Sequence, residues 1–78
     1  MSDGDTRAID RRLLAAHSEG DLATLVRLYR EAGERAEADG DRDRAAFFLT
    51  HAWIYALEAG LGEAEVLRSV LRKWGRAA

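Results

Sequence analysis

Hydrophobic and polar residues follow one another along the chain with the three- and four-residue spacing of amphipathic helices, and glycines divide this pattern into segments. Gly20, Gly40 and Gly60 each follow a periodic segment, at the place where a left-handed residue commonly ends a helix. Asp21 and Asp41 come next and are typical N-cap residues. The pattern predicts a disordered tail at residues 1–5 and four helices, at about residues 6–19, 21–39, 41–59 and 63–75.

Three of the predicted helices have one apolar side, which we expect to face the core. The apolar positions are Ile9, Leu13, Leu14 and Ala16 in the first helix, Leu22, Leu25, Val26, Tyr29, Ala32, Gly33 and Ala36 in the second, and Leu67, Val70, Leu71 and Trp74 in the fourth. The third helix differs, because only Thr50 and His51 interrupt the apolar residues of segment 45–57. Even its most polar side contains Phe47 and Ile54. Such a helix is central in the fold or covered by another subunit.

The predicted connections contain one to three residues, so each helix runs antiparallel to the one before it. Fifteen alanines and no proline suit uninterrupted helices. The sequence therefore predicts one all-α domain at residues 6–78, built as a compact α-hairpin stack or as a four-helix bundle. No cysteine is present to form a disulfide, so this small core depends on tight helix packing, on a partner chain, or on both.

Charge and hydropathy argue against several classes of partner. The net charge is −2 with both signs interspersed, so nothing draws the whole domain to nucleic acid or to an anionic membrane. Arg68, Arg72, Lys73 and Arg76 give the last helix a basic side, but this cluster is small. No apolar run reaches the roughly 20 residues of a membrane span, and residues 1–12 contain no signal-peptide core. We expect a cytoplasmic location.

Large and small residues follow a particular order in the 34 residues from Val26 to Ala59. The first helix of this segment carries Tyr29, Ala32 and Gly33, Gly40 marks the turn, and the second helix carries Ala45, Leu49 and Ala52. In its length and at these positions, the segment resembles one tetratricopeptide repeat. Small residues at these sites let two helices approach closely, with Gly33 facing Ala45 and Ala52. The segment departs from the family at Ala36, usually a tyrosine there, and at Leu57, often a proline; both helices are also longer than usual.

The resemblance implies a protein-binding role, with the ligand-facing surface on the first helix of the hairpin. The exposed positions of that helix are Arg27, Arg30, Glu31, Glu34 and Glu37. The alternative is an ordinary solvated face, because pairs four residues apart, such as Arg30 and Glu34, neutralise each other and select no ligand. One repeat with two flanking helices implies a compact relative of the family rather than an extended scaffold.

His51 lies in apolar surroundings, one turn before Tyr55 and two turns before Glu58. It is either a general base or metal ligand oriented by a carboxylate, or a buried or interfacial histidine whose ring nitrogens are hydrogen-bonded. His17 lies at the end of the first helix, where an imidazole commonly bonds free carbonyls. Two histidines without cysteine argue against a metal site, and segment 39–43 lacks the loop of a calcium site. With no phosphate loop and no nucleophile near a base, the sequence predicts neither an enzyme nor a cofactor.

Three functions stay open from the sequence. The first is a non-catalytic protein-interaction module whose partner is another protein. The second is a structural domain that forms a homodimer through the apolar third helix, and the third is a small-ligand site around His51 and Tyr55. The candidate partner-binding residues are Arg27, Arg30, Glu31, Glu34 and Glu37 on the second helix and Phe47, His51, Ile54 and Tyr55 on the third.

Overall fold

The computed structural model describes the backbone of residues 3–77 and the side chains of residues 8–77. This part of the chain forms four helices and no strand, which confirms the all-α prediction. The helices are α1 (Asp3–Glu19), α2 (Leu22–Ala38), α3 (Arg42–Ala59) and α4 (Glu63–Lys73). α1 begins three residues before the predicted start, so the described part of the predicted tail, residues 3–5, is helical. The first two residues of that tail lie outside the described residues.

Glycine ends each helix through the same pair of backbone hydrogen bonds. At the end of α1, the amide of Gly20 donates to the carbonyl of His17, and the amide of Asp21 donates to the carbonyl of Ala16 (3.2 and 3.0 Å). The equivalent bonds occur around Gly40, Gly60 and Gly75. All four glycines have φ between 66° and 82°, a left-handed conformation that costs glycine little. These are Schellman motifs, and they reverse the chain where the sequence pattern predicts.

Aspartates start the two central helices. The Asp21 carboxylate accepts from the amide of Thr24 at 3.1 Å and from its hydroxyl at 2.6 Å. Asp41 accepts from the amide of Arg44 at 3.0 Å in the same way. These bonds satisfy amides that the first turn of a helix leaves free. The hydrogen bond from the Thr24 side chain, and next the one from its amide, hold the pKa of Asp21 below its ordinary value of 3.8.

The lowered pKa of Asp21 predicts a pH-dependent contribution to stability. The folded-state pKa lies below 3.8, so the contribution is complete above pH 3.8 and is lost as the pH falls through the folded-state value. Asp21→Asn keeps a capping side chain without a titrating carboxyl. We expect the melting temperature of the wild type to fall relative to that of Asp21→Asn when circular-dichroism melts are taken below pH 3.8.

The control for this experiment is Thr24→Val, which removes the hydroxyl but keeps the amide. We compare Thr24→Val with the double variant Thr24→Val/Asp21→Asn. The difference in melting temperature that develops between them in acid should be smaller than the difference between the wild type and Asp21→Asn. If the melting temperatures of the wild type and of Asp21→Asn fell equally as the pH was lowered, protonation of Asp21 would not be coupled to unfolding.

Only helices adjacent in sequence pack backbone against backbone within residues 3–77: α1 with α2, α2 with α3, and α3 with α4. The Cα atoms extend over 33 × 30 × 13 Å, so the molecule is a slab whose thin dimension is little more than one helix. A closed four-helix bundle would bring the first and last helices together. The structure is therefore an open hairpin stack, one of the two architectures that the sequence allows.

Two clusters of buried side chains hold the stack together. The smaller joins Ala16 of α1 to Leu25 and Leu28 of α2. The larger, which joins α2, α3 and α4, consists of Val26, Ala46, Leu49, Ala52, Ala56, Ala64, Leu67 and Leu71. The rings of Tyr29 and Tyr55 contact both clusters.

The predicted core residues are wrong at one position in α1 and at one position in α2. Leu14 is predicted in the core, but 68% of it is exposed, because it lies about 100° around the helix from the packed Leu13. Leu28 has no exposed surface and is absent from the predicted face. Leu28 lies on the side of α2 that packs on α1. The predicted face contains the residues on one side of α2 only, so it does not include Leu28.

The C-terminal segment returns to the start of α3. The guanidinium carbon of Arg42 lies 4.5 Å from the ring centre of Trp74, and Arg76 forms an ion pair with Asp43. Arg76 is one member of the basic side that the sequence places on the last helix. These contacts fasten the end of α4 to α3, in addition to the buried Leu67 and Leu71.

α2 and α3 approach each other closely at Gly33. A Cβ atom built on Gly33 would lie 2.8 Å from Cγ and Cδ2 of Leu49 and 3.3 Å from the carbonyl oxygen of Ala45. Real Cβ atoms do not occur at the first distance, so only glycine fits without a shift. Ala45, whose carbonyl lies at this seam, is fully buried, and so is Ala52 in the larger core cluster.

Gly33→Ala is therefore expected to destabilise the protein. Overpacking costs about 1–3 kcal/mol, and alanine recovers up to about 1 kcal/mol of helix propensity, so we expect a net loss of about 1 kcal/mol and a Tm lower by about 5 °C. The matched control is Gly62→Ala, because Gly62 has φ −60° and open space where its Cβ would lie. Circular-dichroism melts measure both variants. A Gly33→Ala protein as stable as the wild type would contradict the close approach.

Candidate functional site

Aromatic rings from three helices gather on one face of the slab around Tyr29. This ring stacks on His51 (centroids 5.1 Å apart, planes at 24°) and on Tyr55 (5.7 Å, 19°). Phe48 lies 6.4 Å from it, and the ring of His17 meets that of Tyr55 edge-on at 5.7 Å. The aromatic layer thus connects α1 and α3 across α2, although the backbones of α1 and α3 do not touch. Such ring pairs contribute about 0.5–1.5 kcal/mol each beyond their buried area.

Both histidines are hydrogen-bonded within this layer. Nδ1 of His51 lies 2.9 Å from the carbonyl oxygen of Phe47, so this nitrogen donates its proton to the backbone. Nε2 of His17 lies 3.3 Å from the hydroxyl of Tyr29. Of the two alternatives that the sequence leaves for His51, this geometry fits the histidine whose ring nitrogen is hydrogen-bonded, here to a helix carbonyl rather than to a carboxylate. For His17 the sequence suggests free helix carbonyls as partners, whereas the structure places a phenol beside it.

The central ring, Tyr29, also has a perturbed hydroxyl. Partial burial raises the pKa of Tyr29 above its ordinary value, and the neighbouring hydroxyl of Tyr55 raises it further. The phenol of Tyr29 therefore stays protonated throughout the neutral range. Its role on this face is that of a neutral hydrogen-bonding and stacking group.

Two substitutions of Tyr29 separate its ring from its hydroxyl. Tyr29→Phe loses only a long hydrogen bond at an exposed position, so we expect a change of less than about 1 kcal/mol in the free energy of unfolding. Tyr29→Ala removes the ring shared by both apolar clusters and should cost about 2–4 kcal/mol. Urea titration measures both, and equal losses in the two variants would show that the hydroxyl, not the stacking, holds the layer.

A cleft of about 250 Å³ adjoins the aromatic layer between α1 and α3. Ala32 and Ala36 of α2 line it. Ile9 and Leu13 line it from α1, and Phe48 lines it from α3. His51 and Tyr55 do not line it, so the small-ligand site predicted around those two residues does not coincide with the cleft.

The charged residues predicted on α2 border a different depression. Arg30 pairs with Glu34 at 3.3 Å and with Glu63 of α4 at 2.7 Å. The hydrogen bond from Arg30 to Glu63, followed by the charges of Glu63 and Glu34, raises the pKa of Arg30. Glu31 lies 4.0 Å from Arg12 of α1. With the exception of Glu37, the predicted charged residues of α2 line this shallow depression of about 440 Å³.

Because of these ion pairs, few charged groups on this side of α2 are available to bind a ligand. The Arg30 guanidinium already has two carboxylates as partners, one of them contributed by α4. Pairs with side chains more than a third exposed typically contribute only about 0–1 kcal/mol, and they compete with any incoming charge. Glu37 is exposed near the end of α2. Three of the five charged residues predicted on α2, Arg30, Glu31 and Glu34, thus already have ion-pair partners.

The other four predicted residues share one side of α3. Phe47 is 58% exposed and Ile54 is 44% exposed, while His51 and Tyr55 are partly buried. Phe47 contacts Phe48 edge-on, and its ring centre lies 4.5 Å from that of His51. These residues lie on one side of the helix that packs between α2 and α4. We call this side the α3 face; it includes the neighbouring Phe48 and, at its two ends, one charged residue each. Its residues are Arg44, Phe47, Phe48, His51, Ile54, Tyr55 and Glu58.

Sequence reasoning missed the contribution of Tyr29 and of α1 to this side of the molecule. Tyr29 is predicted in the core, and it does contact both apolar clusters, but its ring also supports His51 and Tyr55. The cleft depends on Ile9 and Leu13, which lie far from α3 in the sequence. The spacing of residues within one helix does not indicate that side chains of α1 and α3 come together beside α2.

Apolar contact, ring stacking, hydrogen bonding and ion pairing are the interactions seen at these two surfaces. Among the described residues, no group of three or more His, Cys, Asp or Glu side chains is arranged to hold a metal ion. Within the same residues, every buried side-chain nitrogen or oxygen has a hydrogen-bond partner. None of the described helices has both the length and the apolar character needed to cross a bilayer.

Comparisons with protein-family models, with curated proteins and with solved structures give no match to this chain.

Proposed function

We propose that this protein is a non-catalytic protein-interaction module that binds its partner through the α3 face. The observation that carries the proposal is the exposure of Phe47 and Ile54 on the helix that packs between two others. Large apolar side chains exposed together, beside partly buried rings, are typical of surfaces that another protein covers. The aromatic layer beneath holds the surface rigid, which lowers the entropy lost on binding.

The proposal prefers the α3 face to the charged side of α2. Aromatic residues are enriched at the centres of protein interfaces, whereas exposed ion pairs contribute little to affinity. The face offers Phe47, Phe48 and Tyr55, with Arg44 and Glu58 at its ends. The charged side of α2 has Arg30 already paired on two sides.

We further propose that the hairpin of α2 and α3 is a tetratricopeptide-like unit. The support is the seam at Gly33, where a small residue on α2 admits Leu49 and the backbone of Ala45. The open stack, in which only helices adjacent in sequence pack backbone against backbone within residues 3–77, is also the arrangement from which repeat proteins are built. Under this proposal the protein binds through the second helix of the hairpin, not through the first as the family resemblance implies.

Site-specific photo-crosslinking tests the binding surface. A benzophenone amino acid in place of Phe47 should form a defined adduct on irradiation of living cells that produce the protein. The same residue in place of Val66 is the matched control, because Val66 is 52% exposed and belongs to α4, not to the α3 face. Mass spectrometry identifies the adducts. Absence of an adduct at position 47, or the same adducts at both positions, would contradict the proposal.

A further inference from the structure

The α3 face is chemically symmetric about His51. Phe48 and Ile54, which are both apolar, lie three residues before and three residues after it. Phe47 and Tyr55, which are both aromatic, lie four residues before and four residues after it. Seven residues away, at the two ends, the charges are opposite: Arg44 on one side and Glu58 on the other. Positions three, four and seven residues apart share one side of an α-helix. The residues of the α3 face therefore form a palindrome in chemical type along one surface.

A palindrome of this kind has a specific geometric consequence. When two identical helices pack antiparallel across a two-fold axis, each residue lies level with the residue at the mirrored distance from the axis, and residues on the same edge of the face meet. With the axis at His51, Phe47 of one copy faces Ile54 of the other, and Phe48 faces Tyr55. Arg44 then faces Glu58 at both ends, about 10 Å from the axis at about 1.5 Å per residue. Every facing pair is apolar with apolar or cation with anion.

The side chains are placed for such a contact. Arg44, Phe47, Ile54 and Glu58 are exposed, so both the apolar part and the charged ends of the face are accessible. The guanidinium carbon of Arg44 lies 5.6 Å from the ring centre of Phe48, which keeps this charge at the end of the apolar surface. Stacking on Tyr29 and the bond to the Phe47 carbonyl hold His51 at the centre.

From this symmetry we infer that the partner covering the α3 face is a second copy of this chain, packed antiparallel with the two-fold axis at His51 and with two Arg44–Glu58 ion pairs. The inference rests on the proposed function, because it names the partner of the same surface. A dimer also gives the exposed apolar residues of a thin, four-helix stack the burial that its own chain does not supply. Because the two ion pairs are symmetric, reversing one charge places like charges together at both ends.

Charge reversal provides the test, with sedimentation velocity at tens of micromolar as the measurement. We expect a dimer for the wild type, and monomers for Arg44→Glu and for Glu58→Arg, with dissociation constants raised at least about tenfold. The double variant Arg44→Glu/Glu58→Arg should dimerise by itself, because each introduced glutamate then faces an introduced arginine of the other copy.

An equimolar mixture of the two single variants tests the pairing itself. In a mixed dimer, one end brings the two introduced side chains together and the other end brings the native Arg44 and Glu58 together. Opposite charges therefore face each other at both ends, and we expect the mixture to dimerise although neither variant does so alone.

Two matched variants control for net charge. Arg27→Glu and Glu37→Arg change the charge by the same amounts at exposed positions of α2 and should leave the dimer intact. Circular dichroism checks that every variant is folded. A monomeric wild type, single variants that remain dimeric, or a mixture that stays monomeric would each overturn the antiparallel dimer.

The crosslinking experiment separates this inference from the proposed function. An adduct at position 47 with twice the mass of the chain supports the second copy. An adduct with a different protein, together with a monomeric wild type, overturns the dimer and leaves the interaction module standing. No adduct at position 47 overturns both.

Discussion

The close approach of α2 and α3 at Gly33 governs how the remaining side chains of α3 are distributed. Because Leu49 and the Ala45 carbonyl occupy the space of a side chain there, α3 has little room for further bulky residues along the seam. Ala45 and Ala52 are completely buried. The other bulky residues of α3 lie elsewhere around the helix, and some of them, such as Phe47 and Ile54, are exposed.

Where those bulky residues point decides what each side of the molecule can do. Trp53 packs against the larger core cluster, which includes Leu67 and Leu71 of α4. Toward α1, Phe48 and Tyr55 meet the ring of Tyr29, and the layer they form ties α1 to α3 without backbone contact. On the remaining side nothing in the described chain covers most of Phe47 or much of Ile54. Phe48 and Tyr55 therefore belong both to the layer that ties the helices together and to the α3 face, whose exposed part is formed by Phe47 and Ile54.

The open order of the helices makes this exposure possible. In a closed bundle a further helix would lie over the exposed side of α3, whereas here α4 packs on α3 and bonds across to α2 through Glu63. A consequence of this openness is a small core. A second copy on the α3 face would restore the missing burial, and its two Arg44–Glu58 pairs would set the orientation of the copies.

Four helices and the junctions between them could be predicted from the sequence, although not the start of α1, because helix periodicity, aspartate caps and left-handed glycines act over three to five residues. The small-residue seam at Gly33 was predictable for the same reason. The choice between stack and bundle was not, and neither were the burial of Leu28, the exposure of Leu14 and the pairing of Arg30 with Glu63. These outcomes depend on the distances between helices, which are set by the summed packing of many side chains and not by any local spacing.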